Sequence, residues 1–169
     1  SNATVNQLPN LNDKQKQALN DLINSAPNKQ KVAEIIAQAN ELNNAMKKLK
    51  DLVDEQPHVH QQSNYSNEDP NVQTVYDNAI QNGQNIIDGT TGEPLNKNQI
   101  DNAIQNIELA KGDLHGEQKL QHAQQDANNE IDHLSNLNNA QRQGEHNEIN
   151  TAPSRTEVCL LYTSPSPRD

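Results

Sequence analysis

Large aromatic side chains are almost missing from this sequence: there is no Trp, no Phe, and only three Tyr, at Tyr65, Tyr76 and Tyr162. Any core must therefore be aliphatic and narrow, and 169 residues divide more readily into two or three small units than into one thick domain. The one cysteine, Cys159, stands in an atypical tail. Without it, disulfide staples and thiolate metal sites are excluded. No stretch approaches eighteen consecutive apolar residues and no charged-then-apolar leader opens the chain, so neither a membrane span nor a signal peptide is expected in this piece. Positive charge is scarce too. Thirteen Lys and Arg against 23 Asp and Glu leave a net charge of -10, which opposes a phosphate-binding, nucleic-acid role. The densest basic cluster, Lys47, Lys48 and Lys50, lies beside Asp51 and Asp54 and reads as a solvated helix face.

What the chain has in abundance is uncharged amide: 27 Asn and 19 Gln, more than a quarter of its residues. Such a bias suits long hydrated helix faces or disorder. The chain also carries an internal repeat. Residues 8–32, LPNLNDKQKQALNDLINSAPNKQKV, face residues 134–158, LSNLNNAQRQGEHNEINTAPSRTEV, at an offset of 126 without a gap, and 11 of the 25 positions are identical. Chance would give about two or three in so biased a chain. A period of 126 residues exceeds a simple solenoid unit and fits two small bundles per repeat.

Helix signals run through the period. Asn12 caps a helix over about 13–25, closed by Pro27. From about 29 to 54, Val32, Ile35, Ala39, Leu42, Met46, Leu49 and Val53 recur at spacings of three and four, an unbroken apolar seam. A helix of that length runs about 39 Å, too long for one short bundle, so it is expected to finish one module and begin the next. Residues 56–69 (QPHVHQQSNYSNED) read as a polar loop, with Asp69 as N-cap and Pro70 at the first helical position of the following helix. That helix carries Val72, Val75, Tyr76, Ala79, Ile80, Ile86 and Ile87. After the turn at 89–94, Asn96 and Gln99 form a capping box, and Ile100, Ala103, Ile104, Ile107 and Ala110 line a helix that stops at Gly112. A helix over about 117–135 follows, with Leu120, Ala123, Ala127, Ile131 and Leu134 inward. The last, over about 139–150, is a poorer copy of the first. There Glu145 and Glu148 replace Leu19 and Leu22, and Gly144 replaces Ala18, so residues beyond about 138 are expected to be loosely held. The fold class is all-α: tandem three-helix bundles joined by a long shared helix, an elongated rod.

The segment 42–116 (LNNAMKKLKDLVDE…YDNAIQNGQNIIDG…NKNQIDNAIQNIELAKGDLHG) resembles a FIVAR module, and its flanks, with the LNNAQ and INTAP phrases, resemble parts of GA modules. Paired at this period, they are similar to the module arrays of the giant matrix-binding surface proteins of staphylococci. The resemblance implies a division into 1–38, the C-terminal part of a GA-like module; 39–114, a complete FIVAR-like three-helix module; 115–158, the N-terminal part of the next GA-like module; and 159–169 (CLLYTSPSPRD), an abrupt change of composition that resembles translated sequencing adapter and is expected to be disordered. Whether Ser1, Asn2 and Ala3 are native or a tag scar is open, and Asn2 fits the repeat. The same resemblance implies a secreted, wall-associated, monomeric protein that binds a host matrix protein such as fibronectin. Albumin is not an expected partner. The LxxLIxxA phrase is present at Leu19, Leu22, Ile23 and Ala26, but albumin-binding versions carry Tyr in the place of Leu19 and an apolar, Gly-containing loop in the place of Lys29 and Lys31.

Chemistry is thin. His58 and His60 share a polar segment with no third ligand, and His122 and Asp126 share a helix face that His133 leaves two turns behind, so no metal site is expected. The sequence has no P-loop, nucleotide fingerprint, nucleophile elbow or calcium loop, and GTTGEP (89–94) lacks the Lys and spacing of a phosphate cradle. Tyr76 is expected in the core and Tyr65 as the more exposed ring. No catalytic, cofactor-binding or metal residue is assigned and ligand-binding residues stay unknown. Two readings remain beside a remote enzymatic one: a non-enzymatic module with weak multivalent adhesion, and a structural spacer without a ligand.

Overall fold

The computed structural model describes residues 1–163, and among them every regular element is a helix. Two compact units result. One comprises Ser1–Pro57 and Thr74–Gly112, the other His58–Gln73 and the residues from Asp113 onward.

In the first unit, α1 (Asn2–Asn6), α2 (Asp13–Asn24) and α3 (Lys29–Asp54) pack on one another. The short α1, which apolar spacing did not reveal, brings in Val5 at 0% exposure. Asn12 caps α2 as expected: its side chain accepts from Gln15 N and the Gln15 side chain accepts from Asn12 N, a reciprocal box. The α3 helix is continuous over its 26 residues and buries Ile35, Ala39, Leu42, Ala45, Met46, Leu49 and Val53. Val32, at the start of the seam, is half-buried. The second half of α3 packs against α7 (Lys97–Gly112), and α6 (Pro70–Ile87) completes a bundle with them. Gly83 of α6 shows how closely the three helices meet, because a Cβ there would stand 3.1 Å from Leu49 and Ile107 and 3.2 Å from Val53. Of the apolar stripe expected on α6, Tyr76, Ala79 and Ile80 are buried while Val75 is exposed. The turn between α6 and α7 uses positive φ at Gly89 (74°) and Gly92 (88°), backbone that glycine adopts without strain.

The stretch 56–69, expected as a loop, is largely helical: α4 (Gln56–Gln61) and α5 (Ser63–Ser66). Val59, 2% exposed, is its one deeply buried apolar side chain, too little to show a period in the sequence. In the second unit α5 packs on α8 (Gly116–Asp132), which forms a three-helix bundle with α9 (Asn139–Thr151) and α10 (Arg155–Thr163). Leu120, Ala127, Ile131, Ile149, Ala152 and Val158 make its core, with Ala123, Leu137 and Leu161 packed on it. The poorer copy therefore closes a core, because α10 supplies the third wall. Leu134, expected inward, is exposed past the end of α8. Cys159 to Thr163, expected to be disordered, continue α10: Ser154 Oγ accepts from Glu157 N at its start, and Val158 and Leu161 pack inward along it. The remaining positions of that expected tail lie outside the described residues.

Candidate functional site

The most elaborate polar constellation lies in the second unit, where residues 63–69 meet the N-terminal ends of α8 and α10. Helix starts leave backbone N–H groups without intrahelical partners, and here one neighbouring segment supplies the acceptors for both. Glu68 Oε2 accepts from His115 N at 2.7 Å and Asn64 Oδ1 accepts from Glu117 N at 3.2 Å, which serves α8. Asn67 Oδ1 accepts from Arg155 N at 2.9 Å, which serves α10, while its Nδ2 donates to Ser63 Oγ at 2.8 Å and to Pro153 O at 3.2 Å. Gly116 permits the approach: a Cβ there would stand 2.4 Å from Ser63 O, 2.6 Å from Glu68 N and 2.7 Å from Asn64 O.

Charge completes the clasp. The Glu68 side chain is 1% exposed and receives Lys119 Nζ as well as Asp69 N at 2.8 Å. Asp69, expected only as a helix cap, has its carboxylate between Lys119 Nζ at 2.9 Å and Arg155 Nη1 at 2.8 Å. Arg155 Nη1 also donates to Asn67 O at 3.1 Å. Burial alone would push the Glu68 carboxyl up. The Lys119 ammonium and the two backbone N–H donors outweigh it and hold the carboxyl below its ordinary 4.5. Asp69 is held below 3.8 by Arg155 and then Lys119, and Lys119 is raised above 10.5 by Glu68 and Asp69. These carboxylates are fixed, ionised and already matched by cations. The arrangement can fasten helices; it offers neither a proton nor a nucleophile to a substrate.

The residues singled out from sequence are scattered. His58 pairs with Gln62 (3.2 Å), and His60 lies 4.3 Å, ring centroid to ring centroid, from Tyr65, so the exposed contact expected of Tyr65 is half-covered. His122 and Asp126 are exposed on α8, and His133 Nδ1 contacts Asn129 O at 2.6 Å. No group of three potential metal ligands converges among the described residues. Tyr76 is fully buried, and burial followed by the charges of Glu55 and Asp77 pushes its phenol up to about 12. Lys47 pairs with Asp51 and Lys48 with Glu108, a solvated basic face as expected. The glycine turn is closed by Glu93 N donating to Gln99 Oε1 at 2.8 Å, an inter-helix connection. Sequence reading missed the clasp because Glu68 is 51 residues from Lys119 and Asn67 is 88 from Arg155. Gly116 at the first position of a helix was the one local signal.

Comparison with known proteins fits this architecture. The FIVAR domain family matches residues 45–115, and the GA module family matches 1–45 and 117–159. The extracellular matrix-binding protein ebh of Staphylococcus aureus (strain MRSA252) is 44% identical over 160 residues, 95% of this chain, and EbhA of strain N315 is 44% identical over the same span. The chain spans only 2% of the length of either relative. A crystal structure of a domain of S. aureus EbhA superposes with a TM-score of 0.89 at 25% identity, covering 95% of this chain and 65% of that one. A structure from work on Embp-mediated adherence of Staphylococcus epidermidis to fibronectin superposes at 0.63 with 34% identity, covering 68% of this chain and 90% of that one. Helical throughout its described residues, internally repeated at an offset of 126 and matched by both module types, the chain belongs to the FIVAR and GA module family and is homologous to staphylococcal Ebh.

Proposed function

We propose that this chain is a segment of a secreted, wall-associated surface protein, and that each repeat binds a host matrix protein of the fibronectin kind weakly. Affinity then comes from copy number. The observation that carries this reading is the repeat itself: the capping boxes at Asn12/Gln15 and Asn138/Gln141 recur at the 126-residue offset. The adherence to fibronectin ascribed to the Embp relative supports the choice of ligand class. Among the described residues the exposed large apolar side chains are Leu22, Val75, Leu109, Leu134 and Leu160, none of them aromatic, whereas tight interfaces are anchored by clustered aromatics. A tethered array multiplies such weak contacts through effective concentration, by about a hundredfold or more.

The test is retention on immobilised fibronectin by proteins of one, two and four tandem repeats. Adhesion predicts that residence time climbs steeply with repeat number. Equal and negligible retention of all three would leave the spacer reading, in which amide-coated helices only hold other domains at a distance.

A further inference from the structure

The 126-residue offset aligns hydrogen bonds as well as residues. In the first copy, Asn2 Nδ2 donates to Asn24 Oδ1 at 2.9 Å and Asn20 Nδ2 donates to Asn6 Oδ1 at 2.8 Å. In the second copy, Asn128 Nδ2 donates to Asn150 Oδ1 at 2.8 Å in the corresponding place. The other pair has changed chemistry: His146 stands in the position of Asn20 and Asp132 in that of Asn6, with Nε2 to Oδ1 at 2.8 Å. The first copy leaves Asn2 Oδ1 and Asn20 Oδ1 buried without a partner among the described residues. In the second, the oxygen corresponding to that of Asn2 faces His146 Nδ1 at 2.6 Å.

Both ring nitrogens of His146 thus face oxygen atoms. The donation of Asn128 to Asn150 fixes which end of its amide meets the ring. A neutral imidazole has one N–H and fills one of the two contacts; the imidazolium fills both and adds a charge opposite to Asp132. We propose that His146 and Asp132 form an acid-strengthened latch between α8 and α9, tightening the second GA copy when the ring is protonated, where the amide pair of the first copy is indifferent to pH.

The surrounding charges leave Asp132 as the partner. On α9, Arg142 is one turn away and like-charged, and its guanidinium is engaged with Leu134 O; Glu145 is buried in the bundle. On α8, His133 is turned to Asn129 O, and Glu130 is exposed. On α10, Arg155 is held by Asp69, and Glu157 is exposed. The sign follows from which form fills both contacts. The added stability therefore belongs to the doubly protonated ring. Glu68 and Asp69 titrate below their ordinary 4.5 and 3.8, so the clasp acts in a lower window.

Amide hydrogen exchange on the whole chain tests the latch. Protection of the amides around Ile149, corrected for intrinsic rates, should be about fivefold higher at about pH 5.5 than at about pH 7.5, while those around Ile23 change little. The His146→Asn variant, which puts the residue type of Asn20 in the place of the ring, should lose that difference and stay folded, and Asp132→Asn should lose it as well. Equal protection at the two pH values in the unmodified chain, or an undiminished difference in His146→Asn, overturns the proposal. If His146→Asn does not fold, Asp132→Asn decides by the same criterion.

Discussion

Gly116 is where the second unit tolerates least. The three atoms a Cβ would strike belong to backbone, so no side chain can swing aside, and Gly116→Ala must push α8 off the 63–68 segment. A loss of about 2–3 kcal/mol in urea unfolding of that unit is expected, at the upper end of overpacking costs. Gly144 is the opposite case, with nothing within 4 Å of the position a Cβ would take. Gly144→Ala, which restores the residue type of Ala18, should stabilise by roughly 0.5–1 kcal/mol through helix propensity. Glu145 corresponds to Leu19, and both are buried, at 5% and 0% exposure.

At the scale of the element, the clasp makes the N-terminal ends of α8 and α10 depend on ionised carboxylates. The folded values of Glu68 and Asp69 lie below the ordinary ones, so their stabilisation is complete above about pH 4.5 and is lost as pH falls through the lowered values. Circular dichroism between about pH 5 and pH 2 should show the second unit losing helix, and Lys119→Met, which leaves Glu68 buried without its cation, should move that loss to higher pH. A midpoint that Lys119→Met leaves in place would contradict the assignment. The long helices were legible from sequence because their signals are local: Asn12 as a cap, and the apolar seam of α3, six of whose seven expected positions are buried. The short ones were not. α1, α4 and α5 have at most one buried apolar residue each, so tertiary contact rather than periodicity holds them. The clasp was hidden for a related reason, since Glu68, Asp69, Lys119 and Arg155 look like ordinary surface charges until the fold brings them together.

At the scale of the whole molecule, the two module families meet at residue 45, in the middle of α3. Ala45 is buried and helical, with no cap, glycine or proline nearby to mark a boundary. One side of that position packs with α1 and α2, the other with α7, and Asn12 Nδ2 donates across to Ile86 O at 3.0 Å. GA and FIVAR portions of the first unit are therefore joined through a common helix and a side-chain tie. Native-state hydrogen exchange along α3, followed through increasing denaturant, tests this most directly. Amides from Ile35 to Val53 should converge on one opening free energy; two separate values that break near Ala45 would mean that the modules fold independently and that the shared helix does not couple them.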